Sequence, residues 1–126
     1  MILGLHHASL LTGNLAKSRA FYEGVLGLIP DPQRPPMSFA GMWYSVAPNQ
    51  QLHLMVLPNP EDGLQRPVHG GQDRHVAFVA SDFVELEERL KRAEILFTLS
   101  QSGRKALFCR DPDQNALEFV MFSTAQ

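Results

Sequence analysis

The chain has 126 residues, 44% of them hydrophobic, and a formal net charge of −2. This length fits one domain with a buried core, and the mixed charges give neither a basic stripe for nucleic acid nor a polybasic patch for a membrane. The apolar runs are too short to span a bilayer, and Met1-Ile2-Leu3 leads into a patterned strand without the features of a signal peptide. The lone Cys109 cannot form an internal disulfide, which fits a reducing compartment. We therefore expect a cytoplasmic protein whose partners are small molecules or its own copies.

The first half of the chain predicts a strand, a helix and further strands. Apolar and polar residues alternate over residues 3–11, which favours a strand with His7 and Ser9 on the same face. A helical pattern follows over residues 15–26, with Asn14 as its N-cap and Gly27 at its C-terminal end. Residues 30–36 are rich in proline and predict an exposed loop, and strands are expected over residues 42–46 and 51–57.

The second half repeats this plan after a stretch without periodicity, residues 58–74, which we interpret as a linker. A helix is expected from residue 83 to about residue 93, with Asp82 as its N-cap. A turn is expected at residues 111–115. Strands are predicted over residues 75–79, 95–99, 105–109 and 116–122.

The register of the two halves identifies equivalent residues. Asn14 lies seven residues after His7, and Asp82 lies seven residues after His75, so these two histidines are equivalent. The last strands superimpose in the same way, with His53 at the position of Glu118. The predicted fold class is therefore α+β, a single domain of two tandem βαβββ modules (about 1–57 and 75–126) whose curved mixed sheet surrounds a metal cleft.

Glu118 suggests what this cleft holds, because a carboxylate within a buried strand is costly unless it is paired or bound to a metal. If the modules face each other across a pseudo-two-fold axis, His7, His53, His75 and Glu118 would meet in one cleft. Three imidazoles and a carboxylate suit a divalent zinc, nickel, cobalt, iron or manganese ion. Four protein ligands would leave coordination positions open for water or substrate, which is the arrangement of a catalytic site.

Three segments, residues 7–28, 74–78 and 111–118, resemble the motifs of the vicinal oxygen chelate superfamily, which includes glyoxalases, extradiol dioxygenases and bleomycin-resistance proteins. The resemblance implies that His7, His75 and Glu118 are metal ligands. It puts His53 at a fourth ligand position that is glutamate in glyoxalases and holds no ligand in extradiol dioxygenases. Gln114-Asn115 departs from the usual Asp-Gly turn of the family.

The implied activity is that of a metal-dependent lyase or isomerase acting on a small substrate that chelates the metal through two adjacent oxygens. Glu118 or His53 would move protons, a thiol such as glutathione could be a cosubstrate, and a homodimer is expected. One alternative is a ferrous extradiol dioxygenase, with His53 or Tyr44 as acid or base. Another is a non-catalytic protein that sequesters a drug or metabolite, although such members lack the ligands that this chain has.

Several points stay open at the level of sequence. Trp43 and Tyr44 alternate faces on one strand, so one of them should point into the cleft. Arg74, Arg104 and Arg110 could clamp a substrate carboxylate or the tail of a thiol cosubstrate, or they could be solvated strand ends. His6 and His69 are interpreted as bystanders. The site could form within one chain or across a dimer.

Overall fold

A computed structural model describes residues 1–123 of the chain, so the predicted end of the second module, residues 124–126, lies outside the described residues. The chain divides into a first unit, residues 1–62, and a second unit that starts at Gly63. Each unit contains one four-stranded sheet. No helix in residues 1–123 has the length and apolar character needed to cross a membrane.

The first unit has a short helix and a mixed sheet. An α-helix, α1 (Leu15–Arg19), continues directly into a π-helical segment, Ala20–Val25. The sheet order is β1-β4-β3-β2, with β1 parallel to β4 and the other pairs antiparallel. Its strands are β1 (His7–Leu11), β2 (Ile29–Pro30), β3 (Gly41–Ala47) and β4 (Gln50–Met55).

The second unit has the same topology. A 3₁₀ turn, Gly70–Gln72, precedes the first strand, and the helix is α2 (Phe83–Arg92). The order β5-β8-β7-β6 again sets the first strand parallel to the last. Its strands are β5 (His75–Ala80), β6 (Phe97–Leu99), β7 (Ala106–Arg110) and β8 (Ala116–Met121). The predicted α+β class with two repeated βαβββ modules is confirmed.

The two helix caps that gave the repeat its register are also confirmed. The Asn14 side chain accepts a hydrogen bond from the backbone N–H of Lys17 at 3.0 Å. The Asp82 side chain accepts from the backbone N–H of Glu85, also at 3.0 Å. Each cap satisfies a backbone donor that the first helical turn leaves unpaired, and this fixes where the helix begins.

Among the predicted boundaries of the first unit, two were wrong for reasons that the structure shows. The first strand begins at His7 and not at residue 3, because residues 1–6 are exposed and pair with no strand over most of their length. The proline-rich region is not entirely loop, since β2 ends on Pro30. Proline is tolerated there because β2 is an edge strand, where a missing N–H breaks no ladder on its outer side.

The core of the first unit lies on the helix side of its sheet. Tyr44 pairs across the sheet with Leu52, and its ring lies 6.0 Å from that of Tyr22 in the π-helical segment. These side chains are essentially inaccessible to water, as is Leu54. Burying side chains of this size stabilises the fold by about 1.5–3 kcal/mol each. Because β3 and β4 alternate, the opposite face presents Trp43 and His53.

The second unit builds its core in the same way. Leu107, Leu117 and Phe119 lie on one face of β7 and β8, and all three are buried. Helix α2 contributes a buried stripe of Phe83, Leu86 and Leu90, spaced three or four residues apart as an amphipathic helix requires. The opposite face of β7 and β8 carries Phe108 and Glu118, which are cross-strand partners.

Candidate metal-binding pairs

Each unit brings two of the four predicted ligands together in the same way. His7 is the cross-strand partner of Gln51, and His53 lies two residues further along β4. His75 is the partner of Ala116, and Glu118 lies two residues further along β8. Residues two apart on a strand share a face, so each pair sits diagonally on neighbouring parallel strands. The equivalence of His7 with His75 and of His53 with Glu118 is thus present in the sheet registers.

In the second unit, the His75 imidazole faces the Glu118 carboxylate. His75 Nδ1 donates a hydrogen bond to the backbone carbonyl of Asp73 at 2.8 Å, which leaves Nε2 as the acceptor nitrogen of a neutral ring. Nε2 lies 3.2 Å from Glu118 Oε1. Two acceptors at this distance need a cation between them, either a proton on His75 or a metal ion.

Glu118 is only 2% exposed, although it carries a charge when ionised. Its second oxygen, Oε2, accepts a hydrogen bond from the Arg104 guanidinium at 3.3 Å, which is long for a charged pair. The Arg104 side chain is 60% exposed, so water weakens this attraction. A buried carboxylate with two long contacts is incompletely compensated within the described part of the chain.

In the first unit, His53 is held by rings on both sides and by a hydrogen-bonded chain. Its ring stacks on Trp43 at 4.4 Å and on His7 at 4.1 Å between centroids. Gln51 Nε2 donates to Asp31 at 2.7 Å, so Gln51 Oε1 is the atom that accepts from His53 Nε2 at 2.8 Å. His53 therefore carries its proton on Nε2, and the acceptor lone pair is on Nδ1.

Burial lowers the pKa of His53 to about 4, and the neighbouring His7, His6 and Arg34 act in the same direction. The side chain is 8% exposed. Its imidazole is consequently neutral near pH 7, and neutral imidazole is the form that binds a metal.

His7 has a second partner that the sequence did not indicate. His6 Nδ1 lies 2.9 Å from His7 Nδ1, so one of these two atoms donates to the other. His6 was interpreted as a bystander because it is out of register with His75. The contact makes it a neighbour that helps to set the orientation of the His7 ring.

Tyr44 was predicted as a possible acid or base, and its position does not support that role. It lies on the core face of β3, whereas His53 lies on the opposite face beside Trp43. The Tyr44 hydroxyl donates to Glu23 at 2.8 Å, and burial together with this carboxylate raises its pKa above the ordinary value. The aromatic residue of β3 on the face of His53 is Trp43.

Among residues 1–123, no group of three or more His, Cys, Asp or Glu side chains lies together in a way that could hold a metal ion. The structure brings the predicted ligands together as two pairs, one in each unit. His69, the other predicted bystander, contacts the Phe108 ring at 4.9 Å between centroids and lies 2.8 Å from Thr98 Oγ1.

The two repeated βαβββ modules match the fold of glyoxalase-family proteins. The chain belongs to the Glyoxalase/Bleomycin resistance protein/Dioxygenase superfamily, whose family model matches residues 4–119. It is 27% identical to Glyoxylase I 4 of Arabidopsis thaliana over 122 residues, which cover 93% of this chain and 70% of the relative.

Solved structures share this fold. A glyoxylase/bleomycin resistance protein/dioxygenase domain from Frankia sp. EAN1pec matches with a TM-score of 0.74 and 23% identity, covering 98% of this chain and all of that domain. A mutant of the fosfomycin resistance protein FosX from Listeria monocytogenes matches with a TM-score of 0.75 and 19% identity, covering 99% and 96% of the two chains. That protein was solved with Mn(II) and 1S,2S-dihydroxypropylphosphonic acid.

Proposed function

We propose that the protein is a metal-dependent lyase or isomerase whose small substrate binds a divalent ion through two adjacent oxygens. His7, His53, His75 and Glu118 would hold the ion. The observation that carries the proposal is the His75–Glu118 pair, in which a tethered imidazole turns its acceptor nitrogen towards a buried carboxylate at 3.2 Å. Ligating histidines commonly donate their other N–H to a carbonyl in this way, since the bond fixes the tautomer.

The residues fit a borderline metal such as zinc, nickel, cobalt, iron or manganese, because they offer three imidazole nitrogens and one carboxylate. The Asp31–Gln51–His53 chain orients the His53 ring, and burial keeps that ring neutral. The His7 and His53 rings stack with 16° between their planes, so their lone pairs lie in two nearly parallel planes. To bind one ion, at least one of these rings must turn about its side-chain bonds.

A complete site needs both pairs, and we propose that they meet either within one chain or across a homodimer. The two arrangements give different results when two inactive variants are mixed. In a dimer with shared sites, co-refolding His7→Gln with Glu118→Gln chains restores one intact site per hybrid dimer. In a site within one chain, every site keeps a defect and no activity returns.

A bound metal would polarise the two chelated oxygens and make a neighbouring C–H or O–H group more acidic. Glu118 is then the residue best suited to take up and return the proton, because it is the one carboxylate of the set and is shielded from water. His53 is less suited, since its N–H is already donated to Gln51. Trp43 lines the face beside His53 and offers a flat apolar wall for substrate.

Metal analysis of protein purified without an affinity tag should find about one transition metal per chain. Glu118→Gln should lose both the metal and turnover of a hemithioacetal formed with glutathione, whereas Glu88→Gln, at an exposed position on α2, should retain both. A protein that binds no metal, and whose thermal stability ignores metal and chelator, would contradict the proposal. If protein loaded with Fe²⁺ under anaerobic conditions cleaves a catechol ring once O₂ is admitted, it is instead an extradiol dioxygenase.

A further inference from the structure

A pocket of about 280 Å³ lies beside the His75–Glu118 pair in the second unit. Its wall includes polar groups from three places in the sequence: the 3₁₀ turn, the loop between β6 and β7, and the strands that carry the pair. The groups that matter here are His69, His75, Ser100, Ser102, Arg104 and Glu118.

The loop between β6 and β7 presents hydrogen-bond donors to this pocket. Gly103 has a φ of 91°, a conformation that residues with a side chain rarely adopt, and it lies between Ser102 and Arg104. Ser100 Oγ and Ser102 Oγ are 2.8 Å apart, and Ser102 N–H donates to Ser100 Oγ at 3.2 Å. The contact between the two hydroxyls uses one of their two protons, so the other proton can be donated to a ligand.

Charge in the pocket wall is limited to Arg104 and Glu118 when the histidines are neutral. Without a metal, these two charges offset each other through the 3.3 Å contact. A divalent ion bound by Glu118 would compete for the carboxylate and leave Arg104 without a full counter-charge. The pocket would then carry a net positive charge next to the chelated oxygens.

We propose that Arg104, with Ser100 and Ser102, forms a subsite for an acidic group of the substrate, a carboxylate or a phosphonate. The proposal rests on the metal-dependent function above and adds the substrate class: small molecules with two adjacent oxygens and a separate anionic group. Arg104 can exchange its contact with Glu118 for one with the substrate's acidic group, because its side chain is 60% exposed and its contact with Glu118 is long.

Arg110 provides a contrast that separates a structural arginine from a recognition arginine. It donates to Asp73 at 2.8 Å, to the carbonyl of Gln114 at 2.8 Å and to the carbonyl of Pro67, and its side chain is 18% exposed. Through these bonds Arg110 connects the segments around it, which is a structural role. Arg104 has no comparable set of backbone acceptors among the described contacts.

Two probes that chelate identically test the subsite on Mn²⁺-loaded protein by isothermal titration calorimetry. Acetohydroxamate binds a metal through two adjacent oxygens, and succinate monohydroxamate adds a carboxylate. The wild type should bind the second probe at least about tenfold more tightly, because a charge-assisted bidentate contact is worth about that factor. The analogue with a phosphonate in place of the carboxylate shows which anion is preferred.

Arg104→Gln should bring the two affinities together, and it should not weaken the binding of Mn²⁺ or acetohydroxamate. Arg92→Gln is the matched control, since Arg92 is a similarly exposed arginine on α2 in an ion pair with Glu85. Equal affinities of the two probes for the wild type would overturn the proposal. So would an Arg104→Gln variant that weakens both probes equally.

A second experiment needs no metal and therefore separates this proposal from the proposed function. In metal-free Glu118→Gln protein the carboxylate no longer occupies Arg104, so succinate and inorganic phosphate should bind several-fold more tightly than to the metal-free wild type. Adding Arg104→Gln should remove the gain, and adding Arg92→Gln should not. No gain in Glu118→Gln overturns the subsite. A gain in Glu118→Gln, together with a wild type that binds no metal when metal is added, supports the subsite and contradicts the proposed function.

Discussion

Glu118→Gln should change thermal stability in opposite directions with and without metal. In chelator, the variant removes a charge that is 2% exposed, whose burial costs several kcal/mol. The compensation lost with it is small, because Arg104 is largely solvated and such a pair contributes about 1 kcal/mol or less. The new amide N–H can also donate to His75 Nε2, which is an acceptor in the neutral ring.

We therefore expect metal-free Glu118→Gln to be more stable than the wild type by about 1–2 kcal/mol. For a chain of this size that corresponds to a Tm increase of roughly 3–8 °C. With metal at about 100 times its Kd, the wild type should gain about 2.7 kcal/mol. The variant, having lost its only carboxylate ligand, should gain almost nothing, so the order of the two Tm values reverses.

The assay is thermal unfolding at pH 8 in chelator and in a series of Ni²⁺ concentrations. Histidine binds a metal in its neutral form, and this pH favours that form. Glu88→Gln, an exposed carboxylate on α2, controls for loss of charge and should change stability by less than about 0.5 kcal/mol. If Glu118→Gln is less stable than the wild type in chelator, the carboxylate stabilises the metal-free fold and the reasoning above is wrong. If both gain equally from Ni²⁺, Glu118 is not a ligand.

Three further measurements test other parts of the structure. Trp43 is the single tryptophan and stacks on His53, so Ni²⁺ binding should change its fluorescence in the wild type. His53→Gln should lower the apparent affinity for Ni²⁺ in this titration at least about tenfold. An unchanged titration would show that His53 is not a ligand. Burial raises the pKa of Cys109 to about 12, so a thiol reagent at pH 8 should label it only after denaturation, and rapid labelling of folded protein would contradict this. Gln114 has a φ of 70°, so Gln114→Gly should raise the free energy of unfolding by about 0.5–1 kcal/mol, with a smaller gain for Asn49→Gly; a loss of stability would show that the Gln114 side chain contributes more than its backbone strain costs.

The module repeat could be predicted from sequence because helix caps are local signals. Asn14 and Asp82 each accept a hydrogen bond from a backbone N–H three residues on, so their positions follow from residue type and spacing alone. Counting back from the caps then aligned His7 with His75. The sheet registers confirm that alignment through partners that are distant in sequence.

Other features depend on contacts that no local pattern encodes. Alternation indicates that Trp43 and Tyr44 face opposite sides, but only the pairing of β3 with β4 decides which one accompanies His53. The hydrogen bond from His53 to Gln51 depends on the orientation of the Gln51 amide. Asp31, which is distant in sequence, fixes that orientation by accepting a hydrogen bond from Gln51 Nε2. The strand start at His7 was missed because residues 3–6 have a strand-like alternation without a neighbour for most of their length.

The matched registers of His53 and Glu118 have a consequence for how such a protein can change its chemistry. On the proposed assignment, the ion has one carboxylate ligand, so the centre keeps a net positive charge; a carboxylate at His53 would make it neutral. Because the backbone at both positions is the same strand geometry, that change needs a single substitution and no new loop. The repeat thus provides two equivalent ligand positions. The residue at one of them can change the charge of the metal centre, while the residue at the other continues to bind the ion.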